Sequence, residues 1–287
     1  MTRLPITKTP KPYVGGAFIR SESGRTFPLN DAKGNFFANI PQCTRKDLRN
    51  AVEAAAKAGP GWAKRTAYNR GQILYRLGEM LEARRAEMIE TLVRFGASKV
   101  AAAKEVDVCS DRLVYYAGWA DKYEQVLGNV NPVASPHFNF TVTEPMGVIG
   151  VIAPDAPALL GLISLVAPII TSGNTVVAAV AETNPYPAIL LGEMLATSDL
   201  PGGVVNLLTG FRKELVPTFA THTHLRGISA AGTSAEERKI LRLGAAESVK
   251  RVQFADDKTN WLADSAQDLY AIRDFVEFKT TWHPVGA

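Results

Sequence analysis

The sequence predicts an α/β protein built on a parallel sheet with helices packed on both faces, and residues 144–182 are the stretch that says so. In EPMGVIGVIAPDAPALLGLISLVAPIITSGNTVVAAVAE, two short β-branched runs at 148–153 and 175–180 flank a helix-length apolar segment at 159–170. A strand that is apolar without alternation needs cover on both faces, which is the condition of a strand inside a parallel sheet. Pro154, Asp155, Pro157, Pro168 and Asn174 break the stretch and argue against a membrane span. Open sheets of this kind bind ligands beyond the carboxyl ends of their strands, so residues 154–157 and 178–182 are the ones to question.

Composition supports a large core. The chain has 287 residues, of which 46% are hydrophobic and 21% charged, enough for one large α/β domain or two smaller ones. A formal net charge of +4 with no block of Lys and Arg describes a solvated surface, not a nucleic-acid stripe. Residues 1–12 carry Arg3, Lys8, Lys11 and three prolines without an apolar core, and are expected to be a disordered leader rather than a secretory signal. Two cysteines, Cys43 and Cys109, form no disulfide framework and suit a reducing, cytoplasmic compartment.

The elements follow in order. YVGGAFIR (13–20) and NFFANI (35–40) read as an antiparallel hairpin on the outside of a domain. Thr44 and Asp47 form a capping box that opens a helix with Leu48, Ala51, Val52 and Ala55 on one face, and Gly59-Pro60-Gly61 is expected to end it. Further helices are predicted over 67–81 and 84–95, the last stopped by Gly96. Ser98 caps a long helical segment over 99–123 whose Val106, Cys109, Leu113, Tyr116 and Trp119 share a face. Cys109 on that stripe is a packing residue, and Cys43, beside a helix N-cap, is read as inert too. HFNFTVT (137–143) alternates Phe138, Phe140 and Val142 against polar residues, the pattern of a strand with one buried and one exposed face, placed to pair at an edge or to reach a second subunit. The four histidines are too scattered for a metal site; His222 and His224 alone supply two ligands at most and read as a polar loop.

With these pieces in order, YYAGWADKY (115–123), EPMGVIGVIAP (144–154), SGNTVV and the following AE (172–182), and LPGGVVNLLTGF (200–211) resemble the NAD(P)-dependent aldehyde dehydrogenase superfamily. The resemblance covers residues 13–251. It implies a Rossmann-like cofactor domain over 13–251, with an extended oligomerisation arm at 129–147, and makes 252–287 the start of a catalytic domain that is otherwise missing. The family's reaction needs a cysteine thiolate, an oxyanion hole with a side-chain amide and a glutamate that activates water. The Asn of the family's Pro-Trp-Asn bend is matched here by Ala156, and losing one oxyanion donor lowers a rate by roughly a hundredfold or more. The glutamate's segment is matched by RVQFADDK (251–258), where Asp256 and Asp257 are poor substitutes. The cysteine falls at or beyond Ala287, and Thr280 or Thr281 with His283 is a weak replacement. No catalytic residue is therefore assigned.

The resemblance places cofactor contacts at Glu182, Gly210, Gly232 and Thr233. Glu182 matches the ribose-binding glutamate, but Ala179 stands for the family's lysine, and a hydrogen bond involving a charged group is worth about 1.5–3 kcal/mol. Gly232-Thr233 matches the glycine-serine that faces the pyrophosphate at a helix start, with a Thr233/Glu236 capping box as the structural alternative. Gly210-Phe211 matches the turn near the adenine, yet Arg212-Lys213-Glu214 replaces small residues there. NAD or NADP binding is expected to be weak or absent, and no metal is expected. These substitutions predict a non-catalytic subunit, similar to the shortened half of two-part family members. Such a subunit would form a homo-oligomer, or a hetero-oligomer with a full-length aldehyde dehydrogenase, through the arm and an uncovered sheet edge. The alternatives are an oxidoreductase with its active site completed in trans, which Cys, Glu and Asn at the matched positions would favour, and an NAD-binding sensor, which would show affinity without turnover.

Overall fold

The computed structural model describes residues 8–286. Strands β1 (Tyr13–Val14) and β2 (Ala17–Phe18) form a hairpin about Gly15 and Gly16, and β3 (Thr26–Asn30) pairs with β4 (Phe36–Pro41) in a separate two-stranded sheet. The pairing expected between 13–20 and 35–40 is thus replaced by two hairpins. The reason is local: both turn glycines have positive φ, 62° and 86°, which a two-residue hairpin turn requires. Part of the expected leader is placed as well. Pro10 and Pro12 are buried and Lys8 pairs with Glu193 at 2.8 Å, while residues 1–7 lie outside the described residues.

The helical layer comprises α1 (Arg45–Ala63), α2 (Ala67–Ala83), α3 (Arg85–Arg94), α4 (Lys99–Trp119) and the short α5 (Tyr123–Leu127). Thr44 with Asp47 and Ser98 cap α1 and α4 as their sequence indicates. Helix α1 runs through Pro60 to Ala63 instead of ending at Gly59. Trp62 explains the extension, because its fully buried indole donates Nε1–H to the Ile170 carbonyl at 2.9 Å and holds the last turn against the core.

An arm follows, made of β5 (Asn129–Asn131) and β6 (His137–Pro145). The main sheet then begins with β7 (Val148–Ile152), α6 (Ala158–Thr171), β8 (Thr175–Ala179), α7 (Tyr186–Leu195), β9 (Val205–Leu208), α8 (Arg212–Thr221), β10 (Leu225–Ala230), α9 (Ala235–Ala246) and β11 (Arg251–Phe254). Its strand order is β11-β10-β7-β8-β9-β1-β2, parallel from β11 to β9, with β1 added antiparallel. Alternate residues of β7 face opposite layers. Ile149 and Val151 pack in the core beside α2, α4, α6 and α7, whereas Val148 and Ile152 pack in the core beside α1 and α8. This is the two-faced cover that the apolar runs predicted. No described helix is long and apolar enough to cross a membrane.

Beyond β11 the chain passes through a linker, α10 (Tyr270–Arg273) and β12 (Val276–Pro284). Within the stretch expected to begin a catalytic domain, β12 pairs antiparallel with β6 over nine residues, from Val276↔Pro145 to Pro284↔His137. Asn174, from the turn before β8, donates to the Phe275 carbonyl at 2.7 Å and fixes the point where the tail turns onto the arm. The edge strand β11 is half-buried rather than bare, and Arg251 Nη1 donates to the carbonyls of Asp274 and Val276 at 2.7 and 2.9 Å. Partly buried Trp261, Leu269 and Ala271 cover the adjoining apolar core.

Candidate functional site

The strand order reverses beside β7. The chain winds outward through β8 and β9, then returns to place β10 on the other flank of β7. A crevice at the carboxyl ends of β7 and β10 is where an open sheet of this order takes its ligand. Glu182, Gly210, Gly232 and Thr233 all fall on this edge of the sheet, in the loops after β8, β9 and β10.

The crevice is organised around Arg212, the first residue of α8, which sequence reasoning noted only as a replacement for a small residue. Arg212 is 7% exposed. Its Nη1 donates to the Gly232 carbonyl at 2.8 Å and its Nη2 to the Ala153 carbonyl at 2.6 Å, so one planar guanidinium ties the loop after β7 to the loop after β10. Asp155 Oδ2 lies 3.5 Å from Nη2. The other oxygen of Asp155 accepts the Glu182 and Thr183 N–H groups at 2.6 and 3.1 Å. Arg212 Nε is buried without a partner.

Each sequence-selected residue has a place in this arrangement. Glu182 Oε2 accepts the Arg212 N–H at 2.7 Å and caps α8, which has no side-chain cap of its own, with a carboxylate at the positive end of the helix. Gly210 has φ 143°, and a Cβ there would lie 3.0 Å from the Cys43 carbonyl oxygen; that glycine admits the chain before α1. Gly232, at φ 61°, packs its Cα side on Pro154 and turns its carbonyl to Arg212. Thr233 is buried and its Oγ1 accepts Arg238 Nε at 3.2 Å. The capping box expected at Thr233 and Glu236 lies one residue on, at Ser234 and Glu237, because Thr233 is held by Arg238 and Ser234 is the extended residue that starts α9.

Glu105, on α4, is a supporting residue that no motif marked. The bend at 154–157 leads into α6, whose N-cap Pro157 offers no side-chain acceptor. Glu105 Oε1 accepts the Leu159 and Leu160 N–H groups at 3.2 and 3.1 Å instead. Burial raises its pKa, against the lowering effect of those two bonds. A carboxyl whose pKa is raised by folding binds its proton more tightly in the folded state, so its contribution to stability is fully present below the unfolded value and declines as pH rises towards the folded one. Glu105→Gln is expected to remove that decline. Urea melts from the acid range to neutral pH should show the variant gaining on the parent as pH rises, and parallel curves would contradict the assignment.

The model of the Aldehyde dehydrogenase family matches residues 18–257. The chain belongs to this family. It is 33% identical over 245 residues to an aldehyde dehydrogenase of Alternaria alternata, covering 84% of this chain and 48% of that one. It is 32% identical over 260 residues to aldehyde dehydrogenase, cytosolic 1, of Elephantulus edwardii, covering 88% and 51%. The NAD+ complex of aldehyde dehydrogenase from Bacillus cereus superposes with a TM-score of 0.81 at 26% identity, covering 86% of this chain and 50% of that one. The chain thus spans about half the length of the relatives it matches, and it shares their fold over that part.

The residues that the sequence resemblance set against the family's catalytic groups are placed as follows. Ala156 stands in the bend after β7, preceding a cis Ala156-Pro157 bond. Asp256 accepts the Lys258 N–H at 2.8 Å and closes a turn, while Asp257 pairs with Arg238. Thr280, Thr281 and His283 lie on β12, away from the crevice, and Thr280 Oγ1 is hydrogen-bonded to Thr141 Oγ1 at 2.8 Å on the arm. Burial, with the Asp47 charge second, pushes the Cys43 thiol up to about 12, and burial raises the Cys109 thiol well above its ordinary value.

Proposed function

We propose that this chain is a non-catalytic aldehyde-dehydrogenase-family subunit that associates with a second chain of the family, another copy or a full-length active dehydrogenase, and stabilises or regulates it. The observation that carries this reading is the outer face of the arm sheet. Residues directly paired across antiparallel strands share a face, so Asn131, Asn139, Thr141, Thr280, Phe278 and Trp282 lie on one side, and Val130, Phe138, Phe140 and Val142 lie on the other with Lys279, Thr281 and His283 of β12. Asn139 and Thr143 are buried, which turns the first side of β6 towards the body. Val130, Phe138 and Val142 remain 64%, 45% and 42% exposed on the other side. An exposed apolar strip along β5 and β6, bordered by the polar residues of β12, marks an association surface.

The absence of catalysis rests on the thiols and the bend. A nucleophilic cysteine must reach the thiolate form, and neither Cys43 nor Cys109 does so near neutral pH. Ala156 brings no amide to an oxyanion, and NAD or NADP affinity is weak. Two free, buried cysteines fit a reducing cytoplasmic compartment. Supplied with NAD or NADP and aliphatic or aromatic aldehydes, the purified chain is expected to form no reduced nicotinamide above an enzyme-free blank. Aldehyde-dependent reduction by the chain alone would overturn the reading.

A further inference from the structure

A dinucleotide bound at a switch point lays its pyrophosphate across the carboxyl ends of the two central strands, where a glycine allows close approach and a helix N-terminus favours the negative charge. In this chain the same gap is bridged by a resident side chain. Arg212 reaches from α8 to the Ala153 carbonyl at the end of β7 and to the Gly232 carbonyl after β10, at 2.6 and 2.8 Å. A group entering between these loops has to displace a guanidinium that is 7% exposed and leave both carbonyls without their donor. Displacement also strips Asp155 of its neighbouring cation, a cost that falls on the parent chain alone.

We propose that Arg212 is a built-in closure of the dinucleotide crevice, so that the weak affinity for NAD and NADP comes from this side chain and not from loss of the binding fold. The turn at Gly232 and the capped helix α9 behind it are still formed, and the backbone N–H of Arg212 holds Glu182 whatever side chain stands there. A competent site that is populated only when Arg212 swings out shows an apparent affinity reduced by that fraction. The ligand class rests on family membership and the position on strand order. Neither depends on the association proposed above, and the test reads only nucleotide affinity.

Calorimetric titration of NAD and NADP into the parent chain, Arg212→Gly and Arg212→Ala tests the closure, with circular dichroism to establish folding. Both variants are expected to bind one of the two nucleotides at least about tenfold more tightly than the parent. A gain in affinity is a change that general damage to the loops does not produce. Folded variants that bind no more tightly than the parent would overturn the proposal. If removal of the side chain prevents folding, Arg212→Lys decides, because one ammonium keeps the charge without the planar fork that spans both carbonyls. Tighter binding by that variant supports the closure and unchanged binding overturns it.

Discussion

Replacing Phe138 and Val142 together by aspartate is expected to weaken association through the arm by at least about a hundredfold and to leave a 31.0 kDa monomer. Both side chains stand on the outward face of β6 and are 45% and 42% exposed in the isolated chain. Aspartate there is solvated in the monomer but faces apolar surface in a complex, where an unpaired charge is costly. The arm itself should survive. Its strands are held by nine paired positions between β6 and β12, and by Asn131 Nδ2 donating to Thr141 Oγ1 at 3.1 Å on the opposite face. An unchanged melting temperature with a lost complex is the expected pair of results, read by thermal denaturation and sedimentation. A complex that persists undiminished in the double variant would place the contact elsewhere.

The second large effect concerns Arg112, which fastens the linker between β11 and β12. From α4 its Nη1 donates to Ser164 Oγ at 2.7 Å and the Ala266 carbonyl at 3.0 Å, and its Nη2 to the Trp261 carbonyl at 3.0 Å. Only 1% of the residue is exposed, and burial lowers its pKa. Arg112→Ala removes every one of these donors and leaves a cavity, an expected loss of about 3 kcal/mol in a urea melt. Arg112→Met also strands the acceptors, yet it fills the space and ends the burial of a charge, so its loss is expected to be smaller. Equal losses would mean that packing has no part in the site. A loss below about 1 kcal/mol in Arg112→Ala would mean that the linker is held by Trp261, Leu269 and the other apolar contacts alone.

What the sequence made legible was set by short-range rules. The uniform apolar runs at 148–153 and 175–180 admit only a strand covered on both sides, and the Thr44 and Ser98 caps are decided within four residues. The features that were missed depend on distant partners. Gly15 and Gly16 mark a turn, but nothing local says that β1 then joins β9 through Tyr13↔Leu207. Pro60 reads as a stop until the Trp62 contact to Ile170, 108 residues away, is known. Residues 276–284 alternate too weakly to announce a strand, and only the partner β6 gives them a register. At the crevice, Glu182, Gly210, Gly232 and Thr233, which family motifs singled out, lie in the loops after β8, β9 and β10. The role of Arg212 was hidden, because its acceptors are backbone carbonyls 59 and 20 positions away, which no side-chain motif records.

Native mass measurement of the purified chain, alone and mixed with a full-length aldehyde dehydrogenase of the same organism, tests the central claim most directly. The account predicts a complex heavier than the 31.0 kDa chain, either with itself or with the longer enzyme, that the Phe138 and Val142 double variant does not form. A chain that stays monomeric at micromolar concentration in both samples would contradict it.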